Sequence, residues 1–262
     1  MKIDAIFVQS SLKEFAANTG RGWGFLKSFQ TAISDKQKPV YLFLEQGDFN
    51  GCLDVPNSIK EKFPFIKVVS VDDSFHFNKT SLVFSFLMRY KLNEFKKILL
   101  LETDCVLING FDKFIEKEIC DIDSDEWFIL GSSHYGDSVR HYLERSGRAP
   151  CVEFDEVAIE RLSQKKHMNG VAVYNRSEEF NSFFKKVFDH GSILNMSGNY
   201  DFYIYKFMEL GGIYEKSCID SQFIINISHR DDASTNWKAL KPNAKIIHTK
   251  CKLTALKNVF AV

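Results

Sequence analysis

The chain has 262 residues, 45% of them hydrophobic, which is enough to bury a core of domain size. Lys and Arg (34) balance Asp and Glu (34), which excludes the overall basic field that drives nucleic-acid binding. No apolar run reaches membrane-spanning length, so no membrane span is expected. The amino terminus passes from Met1 into a strand-like run without the apolar segment and cleavage site of a signal peptide. Cysteines at 52, 105, 120, 151, 218 and 251 form no closely spaced zinc or redox pairs, so free thiols in a reducing, cytoplasmic setting are expected.

In chain order, residues 3–10 make the first expected strand, whose polar exit at Gln9, Ser10 and Ser11 is a candidate nucleoside contact. Residues 18–24, Asn-Thr-Gly-Arg-Gly-Trp-Gly, read as a loop ahead of an apolar helix carrying Phe25, Leu26, Phe29 and Ile33. Its glycines permit backbone amides to approach a phosphate, but neither a P-loop nor a dinucleotide fingerprint is present, and a plain loop is the simpler reading. Strands follow at 40–44 and 66–71 with a short helix at 55–63 between them. Leu82, Val83, Phe86, Leu87 and Tyr90 fall at helical spacing and predict a helix over 79–92. Another strand is expected at 127–131. Residues 134–166 are polar and read as a lid or an acceptor-facing insertion. The regular pattern resumes with a strand at 167–174, helices at 180–188 and from about residue 200, and strands at 223–227 and 245–248, with a charged loop at 229–232 before the last. Alternating strands and helices of this kind predict an α/β fold with a mostly parallel central sheet covered on both faces.

The organising stretch is 96–110, Lys-Lys-Ile-Leu-Leu-Leu-Glu-Thr-Asp-Cys-Val-Leu-Ile-Asn-Gly. Four consecutive apolar residues, Ile98 to Leu101, lack the alternation of a half-exposed strand and predict one buried on both faces. Glu102 and Asp104 follow at its carboxyl end, where ligands bind in open α/β sheets. Side chains two apart on a strand share a side, so both carboxylates address one space, and oxygen ligands of this type suit Mg²⁺ or Mn²⁺. The plainer alternative is that the pair solvates a strand end.

In order and spacing these features resemble the nucleotide-sugar-dependent glycosyltransferases of the GT-A (Rossmann-like) fold. Lys79 stands at the start of a helix ahead of Leu-Leu-Leu-Glu102-Thr103-Asp104, which is similar to the family's Asp-x-Asp motif. The stretch Asn169-Gly170-Val-Ala-Val-Tyr-Asn resembles the segment lining the sugar site. His248, in Lys-Ile-Ile-His248-Thr-Lys250, is similar to the third metal ligand of several such families. The resemblance covers most of the chain. It implies a single domain, with a nucleotide-binding half at 1–110 and an acceptor-binding half at 111–262, a nucleoside-diphosphate sugar as donor, a glycan or other hydroxyl as acceptor, and Mn²⁺ or Mg²⁺ as cofactor. Glu102 departs from the pattern. One methylene longer than Asp, it reaches the ion, a metal-bound water or the ribose, whereas Asp104 is the safer ligand.

Such chemistry requires stabilisation of a departing nucleoside diphosphate, for which a divalent ion held by Asp104 and His248, aided by Lys250 or Arg21, is suited. An inverting reaction also needs a carboxylate base, for which Asp201 is the first candidate and Asp220 the second. A retaining reaction needs none. A sugar nucleotidyltransferase should carry a glycine-rich loop directly after its first strand, yet Gly20 comes nine residues beyond Ser11. A phosphatase with an aspartate nucleophile fails because Glu102 takes that place. A non-catalytic nucleotide- or sugar-binding protein is distinguished by binding without turnover.

Overall fold

The computed structural model describes residues 3–16, 20–45, 54–71, 94–118, 129–138, 157, 166–175, 218–219, 221–227, 239 and 241–249. The helices expected at 79–92, at 180–188 and from about residue 200, and the charged loop at 229–232, lie outside these residues.

Strand β1 (Ala5–Ser11) is buried along its whole length and leads into a short 3-10 helix, Leu12–Phe15. Helix α1 (Arg21–Ala32), strand β2 (Val40–Glu45), helix α2 (Val55–Lys62) and strand β3 (Ile66–Val71) follow in the expected alternation. Next come β4 (Lys97–Glu102), the short β5 (Cys105–Leu107) and helix α3 (Phe111–Glu118). The remaining strands are β6 (Ile129–Ser138), β7 (Lys166–Asn175), β8 (Cys218–Ile219), β9 (Ile224–Ile227) and β10 (Ile246–Thr249).

Among the described residues, seven strands form one sheet in the order β3-β2-β1-β4-β7-β6-β8, and β5-β10-β9 form a second. Parallel pairing joins β3, β2, β1 and β4, and also β6 with β8, while β7 is antiparallel to both its neighbours. The large sheet is therefore mostly parallel, with β7 the reversed strand. β4 lies between β1 and β7, and Ile98, Leu99, Leu100 and Leu101 are all at most 3% exposed, as an uninterrupted apolar run requires of a central strand.

Alternation along the strands sorts the two faces. Ile6, Val8, Leu42, Leu44, Leu99 and Leu101 join a core with Phe25, Leu26 and Phe29 of α1, Ile59 of α2 and Phe111 and Ile115 of α3. Phe7, of the opposite parity, meets the rings of Tyr41, Phe43 and Phe95 at 5.4, 5.2 and 6.1 Å. Each fully buried side chain of this size contributes roughly 1.5–3 kcal/mol. The second sheet is sorted in the same way: Cys105, Leu107, Ile224 and Ile246 face the main core, and Val106, Ile225, Ile227 and Ile247 form a smaller cluster with Ala244.

Several boundaries differ from the sequence reading. Arg21, Gly22, Trp23 and Gly24 belong to the first turn of α1 rather than to the preceding loop, because Gly20 takes a left-handed conformation (φ 60°) that turns the chain into the helix. β6 continues to Ser138, so residues 134–138 of the expected insertion are strand. Their polar composition suggests a loop, but Ser138 pairs with Lys166 of β7 beyond an irregularity that follows Ser133, which carries the strand through them. Helix α3, whose Phe111, Phe114 and Ile115 are buried, follows Gly110 at φ 78° and was not expected. Its Asp112, 4% exposed, receives hydrogen bonds on Oδ2 from Ser34 N (2.8 Å), Ser34 Oγ (2.6 Å) and Asp35 N (3.2 Å), which ties α3 to the end of α1.

Candidate metal centre

β4 ends at Glu102, and a tight turn of Thr103 and Asp104 leads into β5. The two carboxylates therefore converge through a turn, not through strand alternation. Gln9 and Glu102 are register partners across the parallel β1–β4 pair, and Gln9 Nε2 donates to Glu102 Oε1 at 2.8 Å. One residue further, Ser10 Oγ and Thr103 Oγ1 share a hydrogen bond of 2.7 Å. The Cys105 thiol lies 3.9 Å from Asp104 Oδ1.

His248 arrives from the far end of the chain. β10 pairs antiparallel with β5 and places His248 opposite Cys105, the neighbour of Asp104. His248 shares the parity of Ile246, which faces the main core, and it is fully buried. Its Nε2 lies 3.3 Å from Asp104 Oδ2. One ligand atom each from Glu102, Asp104 and His248 can be chosen so that all lie within 4.8 Å of one another.

These groups fit a small divalent cation. Bonds of about 2.1 Å place adjacent ligands of an octahedral ion about 3 Å apart, close to the Asp104–His248 spacing. Two carboxylates brought together near buried surface repel unless a cation compensates them. Carboxylate oxygen with imidazole nitrogen suits Mn²⁺, and the carboxylates alone suit Mg²⁺.

The other expected site residues are placed as follows. Arg21 faces Glu14, a glutamate only 4% exposed, with Nη2 2.9 Å from Oε1 and Nε 2.7 Å from Oε2. Any contact of Arg21 with a phosphate therefore competes with a partly buried ion pair. Asn169 and Gly170 fall at a register shift in β7: Gly131 pairs with Ala172, but the next residue, Ser132, pairs with Asn169. Because β7 runs against β4 and Leu101 pairs with Val171, this irregularity sits at the acidic end of β4. Bulges often mark binding sites. Lys79, Asp201, Asp220 and Lys250 lie outside the described residues.

Sequence reasoning missed one group here. Glu14 reads as an ordinary surface acid, and only its place in a buried 3-10 turn facing Arg21 reveals the pair. Ser11 Oγ, in a residue 7% exposed at the end of β1, has no hydrogen-bond partner among the described residues.

No family model matches the chain, and no curated protein sequence matches it. Solved structures do. The galactosyltransferase LgtC, in complex with donor and acceptor sugar analogues, is 13% identical over 94% of this chain and 87% of its own, with a TM-score of 0.55. Mouse xyloside xylosyltransferase 1, in its apo form, is 12% identical over 96% of this chain and 98% of its own, with a TM-score of 0.56. The bifunctional glycosyltransferase WbbM is 12% identical over 94% of this chain but 45% of its own, also at 0.56. At such identities the likeness establishes the fold, and the fold is GT-A.

Proposed function

We propose that this protein is a metal-dependent glycosyltransferase that moves a sugar from a nucleoside-diphosphate sugar to a hydroxyl of a glycan or another acceptor. The observation that carries this reading is the convergence of Glu102, Asp104 and His248 at the carboxyl end of the central strand of a GT-A fold. Asp104 and His248 would hold Mn²⁺ or Mg²⁺ there, with Glu102 beside them. What a divalent ion supplies there is neutralisation of the charge that accumulates on the departing diphosphate.

In this reading the chain's own groups have distinct tasks. Asp104, from the turn between β4 and β5, and His248, from β10 of the small sheet, would fix the position of the diphosphate relative to β4. Lys250, Lys79 and, when released from Glu14, Arg21 add positive charge to its oxygens. Ser10 and Ser11 close the nucleoside side at the end of β1, and the Asn169–Gly170 bulge borders the sugar. If the reaction inverts the anomeric carbon, Asp201 takes the proton of the acceptor hydroxyl, with Asp220 as the substitute. Residues 1–110 form the nucleotide half of one domain and residues 111–262 the acceptor half. Among the described residues no helix is long and apolar enough to cross a membrane.

A donor screen tests this. Incubation with a panel of nucleotide sugars and Mn²⁺ should give a thermal shift and slow hydrolysis for at least one donor, both abolished by EDTA. Binding without any hydrolysis or transfer would favour a non-catalytic binding protein. Absence of any nucleotide-dependent shift would contradict the proposal.

A further inference from the structure

The end of β1 is unusually polar for a buried central strand. Gln9 is 1% exposed, Ser10 is fully buried, and Thr103 facing Ser10 is 2% exposed. Both side chains of β1 are directed onto the acidic turn: Gln9 onto Glu102 at 2.8 Å and Ser10 onto Thr103 at 2.7 Å. Backbone register holds β1 to β4 only as far as the Gln9–Glu102 pair. Beyond it, the Ser10–Thr103 contact continues the ladder with side chains around the start of the turn.

We infer that Gln9 and Ser10 are positioning residues that hold the Glu102–Thr103–Asp104 turn in its cation-binding shape before any cation arrives. The inference rests on the metal reading above and adds a role to residues on which that reading does not depend. Glu102 has one more rotatable bond than an aspartate at the same place, so its carboxylate samples more orientations unless something fixes it. The Gln9 amide does so through Oε1. Being neutral, it orients the carboxylate without cancelling the charge that attracts a cation, as Lys or Arg at position 9 would. The Ser10–Thr103 bond acts one residue on, on the peptide that aims Asp104. Partners of this kind behind a metal ligand typically alter metal affinity by 10–100-fold when removed. Here the Ser10–Thr103 bond is buried and the Gln9–Glu102 bond partly so, with Gln9 itself 1% exposed, which limits the solvent able to substitute for them.

The test is titration of the full-length protein with Mn²⁺, followed by loss of the free-ion electron spin resonance signal. Gln9→Met keeps the length and removes the donor, while Gln9→Asn keeps the amide but shortens the arm, so either variant suffices if the other does not fold. Phe7→Leu, two residues earlier on β1 and fully buried, controls for general loosening of the strand. The expected result is Mn²⁺ binding by the parent, loss of it in Asp104→Ala, a drop of roughly 10-fold or more in the Gln9 variants, and unchanged affinity in Phe7→Leu. Parent-like affinity in the Gln9 variants, with Asp104→Ala still defective, overturns this inference and leaves the metal reading standing. An equal loss in Phe7→Leu also overturns it, because the effect is then one of strand stability. No Mn²⁺ binding by the parent removes both.

Discussion

Asp104 Oδ2 and His248 Nε2 lie 3.3 Å apart although 144 residues (248 − 104) separate them. One antiparallel register produces that meeting, since β10 sets His248 opposite Cys105. A slip of a single residue turns the imidazole to the other face of the small sheet, where Ile247 packs. His248→Ala is therefore expected to weaken Mn²⁺ binding by roughly 10-fold or more, at least as much as the loss of a supporting residue costs. Mn²⁺ titration of the folded variant checks this, and parent-like affinity would remove His248 from the metal shell.

Asp112 makes stability sensitive to acid. Burial pushes its carboxyl up, but hydrogen bonds from the Ser34 hydroxyl and from the amides of Ser34, Asp35 and Lys113 outweigh this and leave it below the ordinary value of 3.8. A carboxylate with a lowered folded pKa contributes stability that is fully present above its unfolded value and is lost as pH falls through the lowered one. Asp112→Asn is expected to cost about 1.5–3 kcal/mol at pH 7, the usual scale for hydrogen bonds to a charged group. That difference should shrink as the pH drops below about 4. Urea unfolding of parent and variant at both pH values measures it. A difference that stays constant would show that the charge on Asp112 is not what matters.

Gly22 is required by packing. A Cβ at this position meets three ring atoms of Phe15 at 2.7 Å, and that ring is held in place by Trp23, whose ring lies 5.2 Å away edge-on and whose indole N–H donates to Phe15 O at 3.1 Å. Gly22→Ala is expected to destabilise by about 1–3 kcal/mol, the range for overpacking. Adding Phe15→Leu should recover part of the loss, because the two changes share one contact. Thermal unfolding of the two single variants and the double variant decides whether this clash is the cause.

The legible parts of the fold were those where pattern and context agree. The run Ile98–Leu101 announced a central strand, because buried parallel strands are written as unbroken apolar sequence, and residues 66–71, rich in β-branched side chains, form the edge strand β3 as expected. Glu102, Asp104 and His248 were chosen on chemistry and motif order, and the structure brings their ligand atoms within 4.8 Å. What was not legible depends on contacts distant in sequence. No local signal says that β7 runs backwards, that β6 continues to Ser138 and pairs it with Lys166, or that Gln9 is registered with Glu102. Helix α3 was missed although Phe111, Phe114 and Ile115 stand at helical spacing, because only eight residues carry the pattern, and Asp112 reads as a surface acid until Ser34 is placed against it.

The proposed base, Asp201, gives a kinetic prediction. Asp201→Asn should keep donor affinity and lose about 10²–10⁴ in transfer rate, since only an interaction made in the transition state is removed. Steady-state transfer together with donor binding by the same variant separates the two. A rate within a few-fold of the parent moves the assignment to Asp220 or to a retaining reaction without a protein base.

The central claim is that a nucleoside diphosphate binds through a cation held at the end of β4, and calorimetry of a nucleoside diphosphate panel, with Mn²⁺ or with EDTA, tests it most directly. The parent should bind at least one diphosphate in Mn²⁺ and lose most of that affinity in EDTA. Asp104→Ala should bind weakly and equally in both. Tight binding by the parent in EDTA, or undiminished Mn²⁺-dependent binding by Asp104→Ala, would contradict the account.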